Sequence, residues 1–155
     1  MIFNWNYWRT GLKPLQFTGF KLSLQAKNLL NNGKNTDALH AFRKAYNQNP
    51  EYYYLGNYIQ HLEFVQSAEY ESLKSEFEEY LGDYDNLKLY KEGARYYQMD
   101  NRGRIYQLLP MAEDKFMNPS KYNTQIHMIR EGERVIGLKE VLNDGNETIY
   151  HRIAK

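Results

Sequence analysis

The sequence contains no cysteine. That excludes disulfides, zinc–thiolate sites and thiol nucleophiles, but it does not fix the compartment. No apolar run is long enough to span a membrane. Residues 1–20 have no basic start and no small-residue cleavage site, so they do not read as a signal peptide. Charge of one sign is lacking too. The net charge is +1 with 25% charged residues, so no strong field favours nucleic acid or an anionic membrane.

Catalytic signatures are equally scarce. There is no Gly-x-Ser-x-Gly elbow, no phosphate loop and no Gly-x-Gly-x-x-Gly. The histidines His40, His61, His127 and His151 show no metal-ligand spacing. His127 and His151 fall on expected strands and could be neighbours in a barrel, yet a metal needs further ligands and none is apparent. Asp83 and Asp85 lack the glycine of a calcium loop. No cofactor and no metal site is expected, and the chain reads as a non-enzyme.

What is present is enough apolar material for one or two cores, 42% of 155 residues, and an abundance of tyrosine, 15 in all. Tyrosine suits β-surfaces, half-buried positions and contact faces alike. The organising stretch is residues 22–50. Leu22, Ala26, Leu29 and Leu30 recur at helical spacing, and Gly33 suits the left-handed residue after a helix end. Asn35 or Thr36 is expected to cap a second helix whose stripe is Ala38, Ala41, Phe42 and Ala45. Pro50 ends it.

These residues resemble a tetratricopeptide repeat, a helix–turn–helix of about 34 residues whose signature closes on Ala, Phe and Pro. Leu22, Ala26, Leu29 and Gly33 match its first helix and turn; Ala38, Phe42, Ala45 and Pro50 match the second helix and exit. Gln25 departs from the pattern, and the Leu55-Gly56 pair comes too early for a full second repeat. An ordinary helical hairpin is the other reading.

Before the hairpin, Phe3, Trp5, Tyr7 and Trp8 sit among polar residues. They either pad the exposed end of the hairpin or form a docking strip for another chain. After it, residues 52–64 read as a third helix with Leu55, Ile59 and Leu62 inward. Residues 68–79 read as a fourth, with Leu73 and Phe77 on one face and glutamates, solvated, on the other.

From Tyr80 the period changes from 3.6 to 2. Residues 80–84 open a β-rich region, and strands are expected over 87–91, 95–99, 104–109, 122–130, 134–142 and 147–153, with a short edge strand at 115–117. Tight turns at 131–133 and 143–146 indicate an antiparallel meander that curls into a small barrel. The expected class is therefore α+β: tetratricopeptide-like helical hairpins over residues 1–78, then a lipocalin-like β-barrel over 79–155.

Residues 77–153 carry a second resemblance. Tyr80-Leu81-Gly82-Asp83-Tyr84 is similar to the Tyr-x-Gly-x-Tyr opening of a lipocalin-like domain found behind β-lactamase-like serine hydrolases in bacteria. Leu108-Leu109-Pro110, Asp114-Lys115-Phe116, and the segments 126–130 and 135–138 around Gly132 resemble its later motifs. The resemblance implies an accessory barrel rather than an active site. The hydrolase's Ser-x-x-Lys is absent, and Tyr84-Asp85-Asn86 matches its Tyr-x-Asn partner only in letters. The chain then reads as the C-terminal piece of such an enzyme or a free-standing relative, periplasmic or secreted in the first case and cytoplasmic otherwise.

Three functions follow. The first is a protein-interaction or accessory module, with Trp5, Trp8, Tyr52, Tyr53 and Tyr54 as contacts to an upstream hydrolase domain, another chain or a second copy. The second is a carrier of a small apolar ligand, with Tyr90, Tyr97, Met99 and Met128 as its lining. It requires a hollow interior, whereas a barrel this short with large side chains is more often filled. The third, an enzyme, lacks any nucleophile–base pair.

Overall fold

The computed structural model describes residues 14–121 and 124–154, with side chains from residue 20 onward. Among these the chain forms four helices followed by eight strands. The helices are α1 (Pro14–Asn31), α2 (Asn35–Gln48), α3 (Tyr54–Val65) and α4 (Ala68–Glu79). The chain divides into two compact units between Glu63 and Phe64. The sequence alone set the boundary between 78 and 79; by its contacts α4 lies with the strands.

In the first unit the α1–α2 hairpin turns at Gly33, which has φ +74. The Gly33 amide donates to Leu30 O and the Lys34 amide to Leu29 O, at 3.0 and 2.9 Å, satisfying two end carbonyls of α1. The N-cap of α2 falls on Lys34 with no side-chain cap. Neither Asn35 nor Thr36 occupies that position, because the helix already includes both. Ala38, Phe42 and Ala45 are fully buried, and so is Ala26 opposite them on α1. On α3, Leu55, Tyr58 and Leu62 are buried, while the expected Ile59 is only half-buried. Tyr58 takes the inward place by stacking on Phe42, with centroids 4.7 Å apart and planes 9° apart.

In the second unit Ser67 caps α4, its hydroxyl oxygen accepting from the Tyr70 amide at 3.2 Å. The strands are β1 (Gly82–Tyr84), β2 (Leu87–Glu92), β3 (Arg95–Asp100), β4 (Ile105–Ala112), β5 (Lys115–Asn118), β6 (Thr124–Glu131), β7 (Arg134–Val141) and β8 (Glu147–His151). Each pairs antiparallel with the next. β5 is not an edge: it lies between β4 and β6, with Phe116, Met117 and Asn118 all buried. The sheet nearly closes on itself. Tyr84 bridges Arg152, the Asp85 amide donates to His151 O at 3.0 Å, and the Ile153 amide donates to Asp83 O at 2.9 Å. These contacts shorten the open edges that a meander of this length would otherwise expose.

Alternation decides what fills the interior. Leu87, Leu89, Tyr96, Leu108, Phe116, Ile126, Met128 and Leu138 are buried; on β2, β3 and β6 the residues between them are exposed or half-buried, whereas on β4 and β5 Leu109, Met111 and Met117 are buried as well. α4 adds Phe77 to this set, its ring 4.9 Å from Tyr80, 5.3 Å from Phe116 and 5.7 Å from Tyr96. The helix thus completes the core of the barrel.

Candidate functional site

The motif residues of the second resemblance hold α4 to the barrel. The Tyr80 hydroxyl donates to Asp114 Oδ1 at 2.8 Å and accepts from the Asp114 amide at 3.0 Å. Asp114 sits at φ +58 in the two-residue β4–β5 turn, a conformation aspartate tolerates better than most residues. Arg130 on β6 donates Nε to both Asp114 oxygens at 2.8 and 2.9 Å, lies over the Tyr80 ring, and reaches Glu76 at 3.7 Å. Burial and the bond to Asp114 push the Tyr80 phenol up to about 12. Partial burial acts to lower the Arg130 guanidinium, but its bonds to Asp114 and Tyr80 outweigh that and raise it.

Tyr84 and Arg152 form a second clasp. The Tyr84 hydroxyl donates to Tyr80 O at 2.6 Å, and burial pushes this phenol up to about 12. Arg152 covers the Tyr84 ring and donates to Glu79 O and Leu81 O at 2.6 and 2.9 Å, satisfying carbonyls at the end of α4. The Tyr-x-Asn letters are therefore a buried structural tyrosine followed by a turn at Asp85, which has φ +40. Several α4 glutamates face bases of the sheet rather than water alone: Glu78 pairs with Lys91 at 2.6 Å.

Further along the same strands the lining becomes polar. Gln98 is the next inward residue after Tyr96, Asn118 after Phe116, Glu140 after Leu138, and Thr124 the one before Ile126. All four are buried. Gln98 Nε2 donates to Glu140 Oε1 at 2.9 Å. These residues stand on β3 and β7, four strands apart in the barrel order, so the bond crosses the interior. Lys121, in the turn between β5 and β6, holds its ammonium 3.8 Å from Glu140 Oε2 and 4.9 Å from the centroid of the Tyr106 ring. Gln98 Oε1 and Asn118 Nδ2 are buried and have no hydrogen-bond partner among the described residues. No spacing in the sequence marked this group; four polar residues at inward positions of the strand alternation were its only signal.

The expected carrier lining is split. Met128 is buried in the interior. Tyr90, Tyr97 and Met99 are half-buried and alternate with the interior residues Leu89, Tyr96 and Gln98. Tyr90 and Tyr97 stack on each other as a cross-strand pair, centroids 5.5 Å apart. Of the expected contact residues, Trp5 and Trp8 lie outside the described residues. Tyr52, Tyr53 and Tyr54 cluster at the start of α3, with Tyr54 in ring contact with both neighbours. Lys27 of α1 lies over the Tyr54 and Tyr58 rings at 5.5 and 5.6 Å. Burial lowers its ammonium and raises the Tyr54 phenol. Tyr53 is 64% exposed, and Phe20 and Leu24, one turn apart on α1, are 38% and 49% exposed.

His127 and His151 are not neighbours. They lie on β6 and β8 with β7 between them, opposite Lys139 and Gly137 respectively. Among the described residues no group of three or more His, Asp or Glu could hold a metal, and no helix is long and apolar enough to cross a membrane. Comparison with known protein families, with characterised proteins and with solved structures finds no match.

Proposed function

We propose that the protein is a non-catalytic interaction module whose contact surface lies on the helical unit, at Tyr52, Tyr53 and Tyr54 with Phe20 and Leu24 of α1. The observation that carries this reading is the exposure of Tyr53, Leu24 and Phe20 beside a fully buried stripe of Ala38, Phe42 and Ala45. Tyrosine and neighbouring apolar side chains contribute most where a partner excludes water from them. The partner is another protein. The tetratricopeptide likeness of residues 22–50 supports the same reading, because such repeats stack on further helices or present a face to a ligand chain.

The finer reading is an accessory domain of a bacterial serine hydrolase. It is supported by Tyr80, Tyr84, Asp114 and Arg130, motif positions that here join a helix to a barrel instead of forming a reactive site. A photo-crosslinker placed at Tyr53 in the producing organism tests the module reading, with the same group at Lys88 on β2 as the control. One discrete protein adduct at position 53, absent at 88, is expected. Equal adducts at both positions, or none at 53, would contradict it.

A further inference from the structure

We propose that the polar end of the barrel interior binds a small zwitterion of the α-amino acid type. Its ammonium would sit against Glu140 and Gln98 Oε1, and its carboxylate against Lys121 and Asn118 Nδ2. The inference is independent of the protein contact on the helical unit.

The argument begins with unmet bonding capacity. Buried polar side-chain atoms nearly always have a partner, so each orphan calls for an explanation. Among the described residues Gln98 Oε1 is an acceptor without a donor and Asn118 Nδ2 a donor without an acceptor, at residues 0% and 1% exposed. The orientation of the Gln98 amide is fixed by its neighbour. Turning it over would set its oxygen against Glu140 Oε1, an acceptor facing an acceptor at 2.9 Å. Asn118 is fixed in the same way, because its Oδ1 accepts from the Ser120 amide at 3.1 Å and leaves the NH2 group unused.

Charge comes next. Glu140 is 6% exposed, and its Oε2 has Lys121 at 3.8 Å, beyond hydrogen-bond length. A buried ion pair is stable only when further hydrogen bonds satisfy it. The site therefore offers two acceptors, Gln98 Oε1 and Glu140 Oε2, and two donors, Asn118 Nδ2 and Lys121 Nζ. One acid and one base leave it neutral. A lone cation would strand Lys121 and Asn118, and a lone anion would meet Glu140. A ligand carrying an ammonium and a carboxylate on one carbon satisfies all four.

The interior on one side is closed, because Tyr96, Phe116 and Ile126, the neighbouring inward residues on the same strands, are buried; the ligand therefore approaches from the polar end. Lys121 is the member of the group nearest solvent: it rises from a turn, its side chain is 29% exposed, and it rests on the Tyr106 ring.

The test is an NMR titration of the full chain, following the side-chain amide signals of Gln98 and Asn118. Glycine is added first, then the remaining protein amino acids, with ethylamine and acetate as half-ligands. Saturable shifts of both signals by at least one amino acid are expected, with each half-ligand weaker by about tenfold or more. Glu140→Gln and Lys121→Met should each weaken that amino acid to a similar degree while the remaining spectrum keeps its dispersion. If either variant fails to fold, the titration of the unaltered chain decides alone. Unmoved signals with every amino acid, or ethylamine or acetate matching the best of them, would overturn the proposal. So would two folded variants that bind like the parent.

Discussion

The Tyr84 hydroxyl donates to the backbone oxygen of Tyr80 at 2.6 Å, with both residues fully buried. One bond thereby fixes the corner where α4 ends and β1 begins. Tyr84→Phe removes the donor and leaves the ring. The expected loss is about 1–3 kcal/mol, the range for stranding a buried partner. Denaturant unfolding measures it, and an unchanged midpoint would show that the corner is held by Arg152 alone. The raised phenol has a consequence at the alkaline end. Its contribution to stability is whole below the ordinary value of 10.0 and is lost as pH rises through about 12.

α4 is part of the barrel's core through Phe77, which touches Tyr80, Tyr96 and Phe116. A fragment of residues 64–155 is expected to fold, and a fragment of 80–155 to be unfolded. Phe77→Ala in the full chain should cost about 3–5 kcal/mol, as ring truncations in packed cores do. Amide dispersion in NMR spectra of the two fragments decides the first point. A folded 80–155 fragment would show that the strands close without the helix.

Gly137 on β7 lies close against the β8 backbone. A Cβ there would stand 2.7 Å from the Tyr150 carbonyl oxygen, a backbone atom that cannot swing aside. Gly137→Ala should destabilise by about 1–3 kcal/mol through overpacking. Gly93→Ala, which meets nothing within 4 Å but holds φ +59, is the comparison for backbone strain alone. If Gly137→Ala costs no more than that comparison, the close approach does not limit the β7–β8 pairing.

The element order was legible because its signals are local. The helical stripe Ala38, Phe42 and Ala45 and the alternation at Leu87 and Leu89 each follow from one period, whereas on β3 Tyr96 and Gln98 turn inward in place of the expected Tyr97 and Met99. Gly33 announced its own turn. What failed to read was long-range. β5 looks like an edge because residues 115–118 are few, and only the ladders to β4 and β6 bury it. The placement of α4 depends on Phe77 meeting Tyr96 on β3 and Phe116 on β5, rings far from it in sequence. The polar group at Gln98 and Glu140 joins residues 42 apart, and no spacing rule reaches that far.

His127 gives a pH dependence. Burial, then the nearby Lys115 and Lys139, lower its ring below the ordinary 6.5. The neutral ring is therefore favoured in the fold. Its contribution to stability is present above about pH 6.5 and declines as pH falls through the lowered value. His127→Gln should flatten stability against pH between about 5 and 7, the range over which histidine titrates. An unchanged slope would assign the acid loss to other groups.

The proposed protein partner binds through the tyrosine edge of the helical unit and not through the outer face of the barrel. The direct measurement is the affinity of the crosslinked partner for two variants, Tyr53→Ala in that edge and Tyr97→Ala in the stacked pair of β2 and β3. Tyr53→Ala should weaken binding by about tenfold or more, the loss expected of an anchoring aromatic, while Tyr97→Ala binds as the parent does. Unchanged affinity for Tyr53→Ala together with weakened binding by Tyr97→Ala would place the contact on the barrel and contradict the account.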